Sequence, residues 1–127
     1  MGESCGCGSK GTVIFACSGS SDTGSISDQA ARRLTIEGVG KMACLAKIGG
    51  QIPGFVDSTK AAERILAIDG CPVDCAKKSL EGAGINSFVH VRVTDLGLKK
   101  GSSPVTPESI ALVADRAKTL VGATCSN

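Results

Sequence analysis

Cysteine dominates the chemistry open to this chain. Seven occur in 127 residues, and four of them, Cys17, Cys44, Cys71 and Cys75, fall where a fold can gather them. Cys17 and Cys71 each follow an apolar run, Cys44 lies near the end of another, and Cys75 comes one helical turn after Cys71. A single cysteine is often only a small buried apolar side chain. Four at one predicted edge point instead to a shared metal site. Four thiolates in a tetrahedron suit zinc, which needs no redox chemistry. A [2Fe–2S] cluster takes four thiolates too and is the alternative cofactor. A closed tetrahedron leaves no position for water, so the expected role of the ion is structural or regulatory rather than hydrolytic.

Those thiols need elements to position them. Thr12–Ala16 is a short, continuous apolar run, the signature of a strand buried on both faces. A polar loop follows, then an amphipathic helix over 25–37 with Ile26, Ala30 and Leu34 on one stripe and Asp22 or Ser25 as its cap. Residues 41–45 are a weaker strand. Residues 48–55, with Gly49, Gly50, Pro53 and Gly54, read as loop, and a short helix is expected from Asp57 or Ser58 to Arg64. A third strand occupies 65–69. Pro72 favours a helix start, which predicts a helix over 72–81 with Cys71 and Cys75 facing one way. Residues 88–93 alternate Val89, Val91 and Val93 against Phe88, His90 and Arg92, as an edge strand with one wetter face does. A last helix covers 106–121.

Four strand–helix repeats predict a three-layer α/β domain with a mostly parallel four-stranded sheet and helices on both faces, and analogy with other small doubly wound folds gives the order 2-1-3-4. Strand ends in such a sheet share one edge, where neighbours lie about 4.8 Å apart, so Cys17, Cys44 and Cys71 can converge there. The first turn of the helix after the third strand adds Cys75, with unpaired N–H groups and positive dipole that favour thiolate. The domain is expected over 11–122, with a Gly- and Cys-rich tail over 1–10 and a second tail over 123–127.

Composition removes several classes. Fourteen basic against 12 acidic residues, with three Phe and neither Trp nor Tyr, offer no polyanion footprint or base-stacking platform, so no nucleic-acid partner is expected. No apolar stretch suits a membrane span, and residues 1–10 have no apolar leader. A cytoplasmic setting follows, where thiols stay reduced and serve metal or redox chemistry.

Other residues carry weaker signals. Asp69 could orient a ligand or only close the turn at Gly70, and Ser18 and Gly70 border the thiols. Lys77 and Lys78 could offset a tetrathiolate's charge, although two lysines on a helix usually form a solvated face. His90, the single histidine, reads as a surface residue, so two-His metal catalysis and a Ser–His–Asp triad have no support. Cys71 and Cys75 could oxidise as a pair after metal loss, the basis of a thiol redox alternative. Cys5 and Cys7 could pass metal to or from a protein partner, the basis of a carrier or sensor alternative, while Cys125 has no assigned role.

The stretches Cys17-Ser-Gly-Ser-Ser-Asp-Thr-Gly24, Met42-Ala-Cys44 with Gly49-Gly50, and Ile68-Asp-Gly-Cys-Pro-Val-Asp-Cys-Ala-Lys-Lys78 resemble the DGC protein family, named for the Asp-Gly-Cys at 69–71. The resemblance implies zinc binding through four chelating cysteines, which are Cys17, Cys44, Cys71 and Cys75 here, and it implies no reaction. Residues 18–24 also resemble, by position after the first strand, the phosphate loop of low-molecular-weight tyrosine phosphatases. Thr23 stands where that loop needs its arginine, so phosphatase chemistry is not expected.

Overall fold

The computed structural model describes the backbone of residues 11–125 and the side chains of 11–122; Cys5 and Cys7 lie outside it. Strand β1, Thr12–Ala16, runs through the middle of the molecule with Phe15 and Ile14 fully buried on opposite faces. Strand β3, Arg64–Asp69, pairs with it in parallel along its whole length, from Thr12 beside Arg64 to Ala16 beside Ile68. Strand β2, Lys41–Met42, flanks β1, and β4, Val89–Arg92, flanks β3. The sheet is all parallel with order β2-β1-β3-β4, the order expected by analogy with small doubly wound folds.

Helices cover both faces. Helix α1, Asp22–Ile36, and helix α5, Pro107–Cys125, pack on one face, where Ile26, Leu34, Val113 and Ala117 meet Ile14, Leu66 and Ile68. The other face carries α2, Leu45–Gly49, α3, Pro53–Lys60, and α4, Cys75–Gly82, with Ile48 and Leu80 against Phe15 and Ala67. Burying large aliphatic side chains contributes about 1.5–3 kcal/mol each, and the two central strands, β1 and β3, contribute to both layers.

Several local expectations are corrected. Helix α1 starts at Asp22 instead of 25, because Ser21 is its cap, with its side chain accepting the N–H of Gly24 at 3.1 Å. The second strand ends at Met42, and Cys44 heads α2 where strand was expected. The region 48–55 is more helical than its glycines suggest. Pro53 sits in the first turn of α3, where its missing N–H costs nothing, and Gly50 closes α2. Residues 71–74 form a turn, so α4 begins at Cys75, not at Pro72, and Cys71 and Cys75 do not share a helix. Helix α5 continues past Gly122 to Cys125. A 3₁₀ turn, Val93–Leu96, follows β4 directly.

Candidate functional site

The sheet order changes direction between β1 and β3: the chain leaves β1 towards β2 and leaves β3 towards β4. Ligands of open α/β sheets gather at the carboxyl ends of strands beside such a switch. Cys17 emerges there from β1, its N–H bonded to the Ile68 carbonyl at 2.9 Å, and Cys71 emerges beside it from β3. Cys75 opens α4. Cys44 lies on the same edge, beyond β2.

The four thiols are not equivalent. Cys17 and Cys71 are close enough to Cys75 for their charges to act on it. Burial pushes the Cys75 thiol up from its ordinary pKa, and the negative charges of Cys17, Asp69 and Cys71 add to that rise. Lys100 brings its ammonium to 3.6 Å from Cys71 Sγ. Cys75 and Cys44 are both exposed, and the Cys44 thiol has no hydrogen-bond partner among the described residues. It borders a cleft of about 620 Å³ lined by Met42, Leu45, Ala46, Ser18 and Ser79. No disulfide links the four, and no three of them bring their sulfurs within 4.8 Å of one another. A larger cavity, about 720 Å³, opens beside Lys60, Arg64 and Phe88 at the opposite edge of the sheet and contains no thiol.

A polar brace fixes the turn that carries Cys71 and Cys75. Asp69 ends β3 fully buried, and its carboxylate accepts the N–H groups of Ala76 at 2.6 Å and Lys77 at 3.0 Å. It thus caps α4 from the preceding strand, in place of the usual cap side chain. Asp74 holds the cap position but points elsewhere. Its backbone is left-handed, φ 57° and ψ 47°, a conformation that Asp tolerates better than most residues, and its carboxylate receives the Arg92 guanidinium. His90 Nε2 lies 2.8 Å from Asp69. His90 is therefore a half-buried partner of Asp69, not the surface residue expected. A carboxylate can only accept, so Nε2 carries the proton.

Asp69, Asp74 and His90 place three ligand atoms within 4.8 Å, the spacing of a cation site. Their acceptors are already committed to Ala76, Lys77 and Arg92, and Arg92 itself supplies the positive charge.

The remaining residues flagged beside the thiols have defined contacts. Gly70 presses on the first turn of α1: a Cβ there would lie 2.8 Å from Gly24 N. A Cβ on Gly24 would meet the Gly19 backbone at 2.8 Å. The Asp-Gly-Cys run thus combines a cap, a backbone contact too close for any side chain, and a thiol. Ser18 donates to Asp28 at 2.7 Å and faces α1. Lys77 and Lys78 follow Cys75 in the first turn of α4.

Sequence reasoning missed Arg92, Asp74, Asp22 and Lys100. Asp22 accepts the N–H groups of Gly101 at 2.8 Å and Ser103 at 3.0 Å and so docks the loop that carries Lys100 to Cys71. The one available signal was the alternation that put His90 and Arg92 on a common face of β4; the register then sets them beside Ala67 and Asp69.

The family model of the DGC domain matches residues 13–117. The anaerobic and virulence modulator AnvM of Pseudomonas aeruginosa strain PAO1 is 34% identical over 88 residues, 69% of this chain and 67% of the relative. No solved structure matches. No helix among the described residues is long and apolar enough to cross a membrane.

Proposed function

The chain belongs to the DGC family, and from that premise we propose that it binds one zinc ion through Cys17, Cys44, Cys71 and Cys75 in a structural or regulatory role. One observation supports this above the rest: Cys17 and Cys71 lie near enough to Cys75 for their charges to act on it, at the edge where such sheets hold ligands. Ionisation of Cys75 meets resistance, first from burial and then from the negative charges of Cys17, Asp69 and Cys71. A cation relieves it. The donor set is all sulfur, soft enough for zinc, and the ammonium of Lys100 stands against the negative charge that thiolates would bring.

Bound zinc would supply a fixed positive centre that cross-links three strand ends. The chain's own contribution is to orient the donors: Asp69 and Asp74 set the turn that carries Cys71 and Cys75, and the Gly24–Gly70 contact sets Cys17 against it. With four thiolates engaged no position remains for water, which argues for a regulatory or structural ion over a hydrolytic one. The relative's name, a modulator of anaerobiosis and virulence, is in keeping with a regulatory role.

The test is elemental analysis of protein purified without added metal. One zinc per chain in a colourless sample is the expected result. Iron and sulfide with visible absorbance would replace zinc by a cluster, and a metal-free protein that takes up no zinc on reconstitution would sink the reading.

A further inference from the structure

We propose that the exposed face of α4 is a docking surface for a second copy of this chain. The two α4 helices lie antiparallel about a two-fold axis, with Lys78 of each against Glu81 of the other. The pairing goes beyond the metal-centre reading and needs no ion.

The charges of α4 run against its dipole. A helix favours acidic groups at its N-terminus and basic groups at its C-terminus. The other helices follow that preference: α1 has Asp22 in its first turn and Arg33 in its last, α5 opens with Glu108, and α2 and α3 end with Lys47 and Lys60. Helix α4 has no acidic residue in its first turn and no basic one in its last. Lys77 and Lys78 stand near its N-terminus instead, and Glu81 near its C-terminus. Lys78 and Glu81 are exposed, and neither side chain has a hydrogen bond or ion pair among the described residues.

Within one chain this order is unfavourable at both ends. Two antiparallel copies reverse it. A two-fold axis between Ser79 and Leu80 sets Lys78 opposite Glu81 of the second copy, and Glu81 opposite its Lys78, so one pattern satisfies itself twice. The same arrangement brings the basic start of each helix to the negative end of the other. The pattern is its own complement. That assigns the face to a second copy and not to a foreign acidic segment, for which Glu81 would be a misplaced charge.

Shape agrees with charge. Beside α4 runs a depression of about 410 Å³, with Lys78, Ser79 and Gly82 along one side and Gly49 of α2 on the other. Val73, 53% exposed, gives it an apolar contact. Neither Gly49 nor Gly82 has a positive φ, and nothing lies within 4 Å of a Cβ built on either. The fold itself does not require glycine at these places, and the open space lets a second helix approach closely. A contact centred on two eight-residue helices is smaller than the roughly 800 Å² per partner of a standard interface, so dissociation at about 10–100 μM is expected.

The test is sedimentation of the full chain across that concentration range, with reductant to exclude disulfides between chains and chelator to exclude bridging ions. Wild type should form a dimer that weakens as salt rises from about 0.1 M to about 1 M. Lys78→Glu and Glu81→Lys should each weaken self-association at least about tenfold, since each sets like charges opposite one another at both symmetry-related positions. An equal mixture of the two variants should dimerise again, as should the double variant Lys78→Glu with Glu81→Lys, because both restore opposite pairs. Gly82→Leu fits the single chain, where its place is open, and should block the dimer. Circular dichroism of each variant separates lost pairing from lost folding. A wild-type chain that stays monomeric throughout, a dimer that survives either charge reversal unchanged, or reversals that do not recover on mixing would overturn the proposal. Each of these outcomes leaves the metal-centre reading standing, since metal content is measured separately.

Discussion

Arg92 grips Asp74 through two hydrogen bonds, Nε to Oδ1 at 2.9 Å and Nη2 to Oδ2 at 2.7 Å, and so ties edge strand β4 to the residue that precedes Cys75. The fork matches a planar guanidinium to a planar carboxylate. It holds a left-handed backbone that the local sequence would not favour unaided.

Removing that grip should be felt in stability. Arg92→Ala leaves the nine-tenths buried carboxylate of Asp74 without its partner, and a loss of about 2 kcal/mol is expected. Arg92→Lys should recover only part of it, since a point charge cannot make both bonds. Chemical denaturation midpoints of the metal-free variants measure the difference.

Asp69 should tolerate substitution less well. It is fully buried and serves Ala76, Lys77 and His90 together. Asp69→Asn keeps one acceptor but turns an N–H₂ group towards donors, so a loss of about 2–3 kcal/mol is expected. The far-ultraviolet helical signal should fall slightly as the first turn of α4 frays, and amide exchange at Ala76 and Lys77 should quicken.

Acid should weaken the fold with a definite sign. The hydrogen bonds from Arg92 hold the Asp74 carboxyl below its ordinary value of 3.8, and the N–H groups of Gly101 and Ser103 do the same for Asp22. Unfolded chains therefore bind more protons than the folded one. The stabilisation is complete above the unfolded values and is lost as pH falls through the lowered folded ones. Stability measured by urea titration should hold to about pH 5 and then decline, and Asp74→Asn should flatten that decline.

Zinc, if it is the resident ion, should raise thermal stability. Chelation, or Cys71→Ser, should lower the melting temperature sharply, because ion binding to a folded site adds directly to folding free energy. A calorimetric trace unchanged by chelator would remove the structural role of the ion.

Much of the architecture was legible. The continuous apolar runs of β1 and β3 marked the sheet centre and four strand–helix repeats pointed to a parallel sheet, while the order β2-β1-β3-β4 came by analogy with small doubly wound folds. Helices α2 and α3 were hidden because Gly49, Gly50, Pro53 and Gly54 read as breakers, whereas Gly50 is a terminus and Pro53 a start. The start of α4 was misplaced because Pro72 carries a first-turn preference that tertiary contacts override: Asp69 captures the N–H groups of Ala76 and Lys77, and the helix begins where they are held. The edge that carries Cys17, Cys71 and Cys75 followed from strand order. The place of Cys44 at the head of α2 did not, since it depends on β2 stopping at Met42. His90 and Arg92 were missed for a related reason. A lone histidine and an arginine on an edge strand look solvated until the register sets them against Asp69 and Asp74.

The backbone-to-backbone seat of Gly70 on Thr23 and Gly24 has a consequence for how the molecule comes apart. Two segments that touch without side chains between them cannot loosen by degrees, because no rotamer can give way. The first turn of α1 and the end of β3 should therefore open together in a single cooperative event, with the amide protons of both exchanging at one rate. Until that event the cysteines on either side keep their spacing, whatever the short helices on the opposite flank are doing.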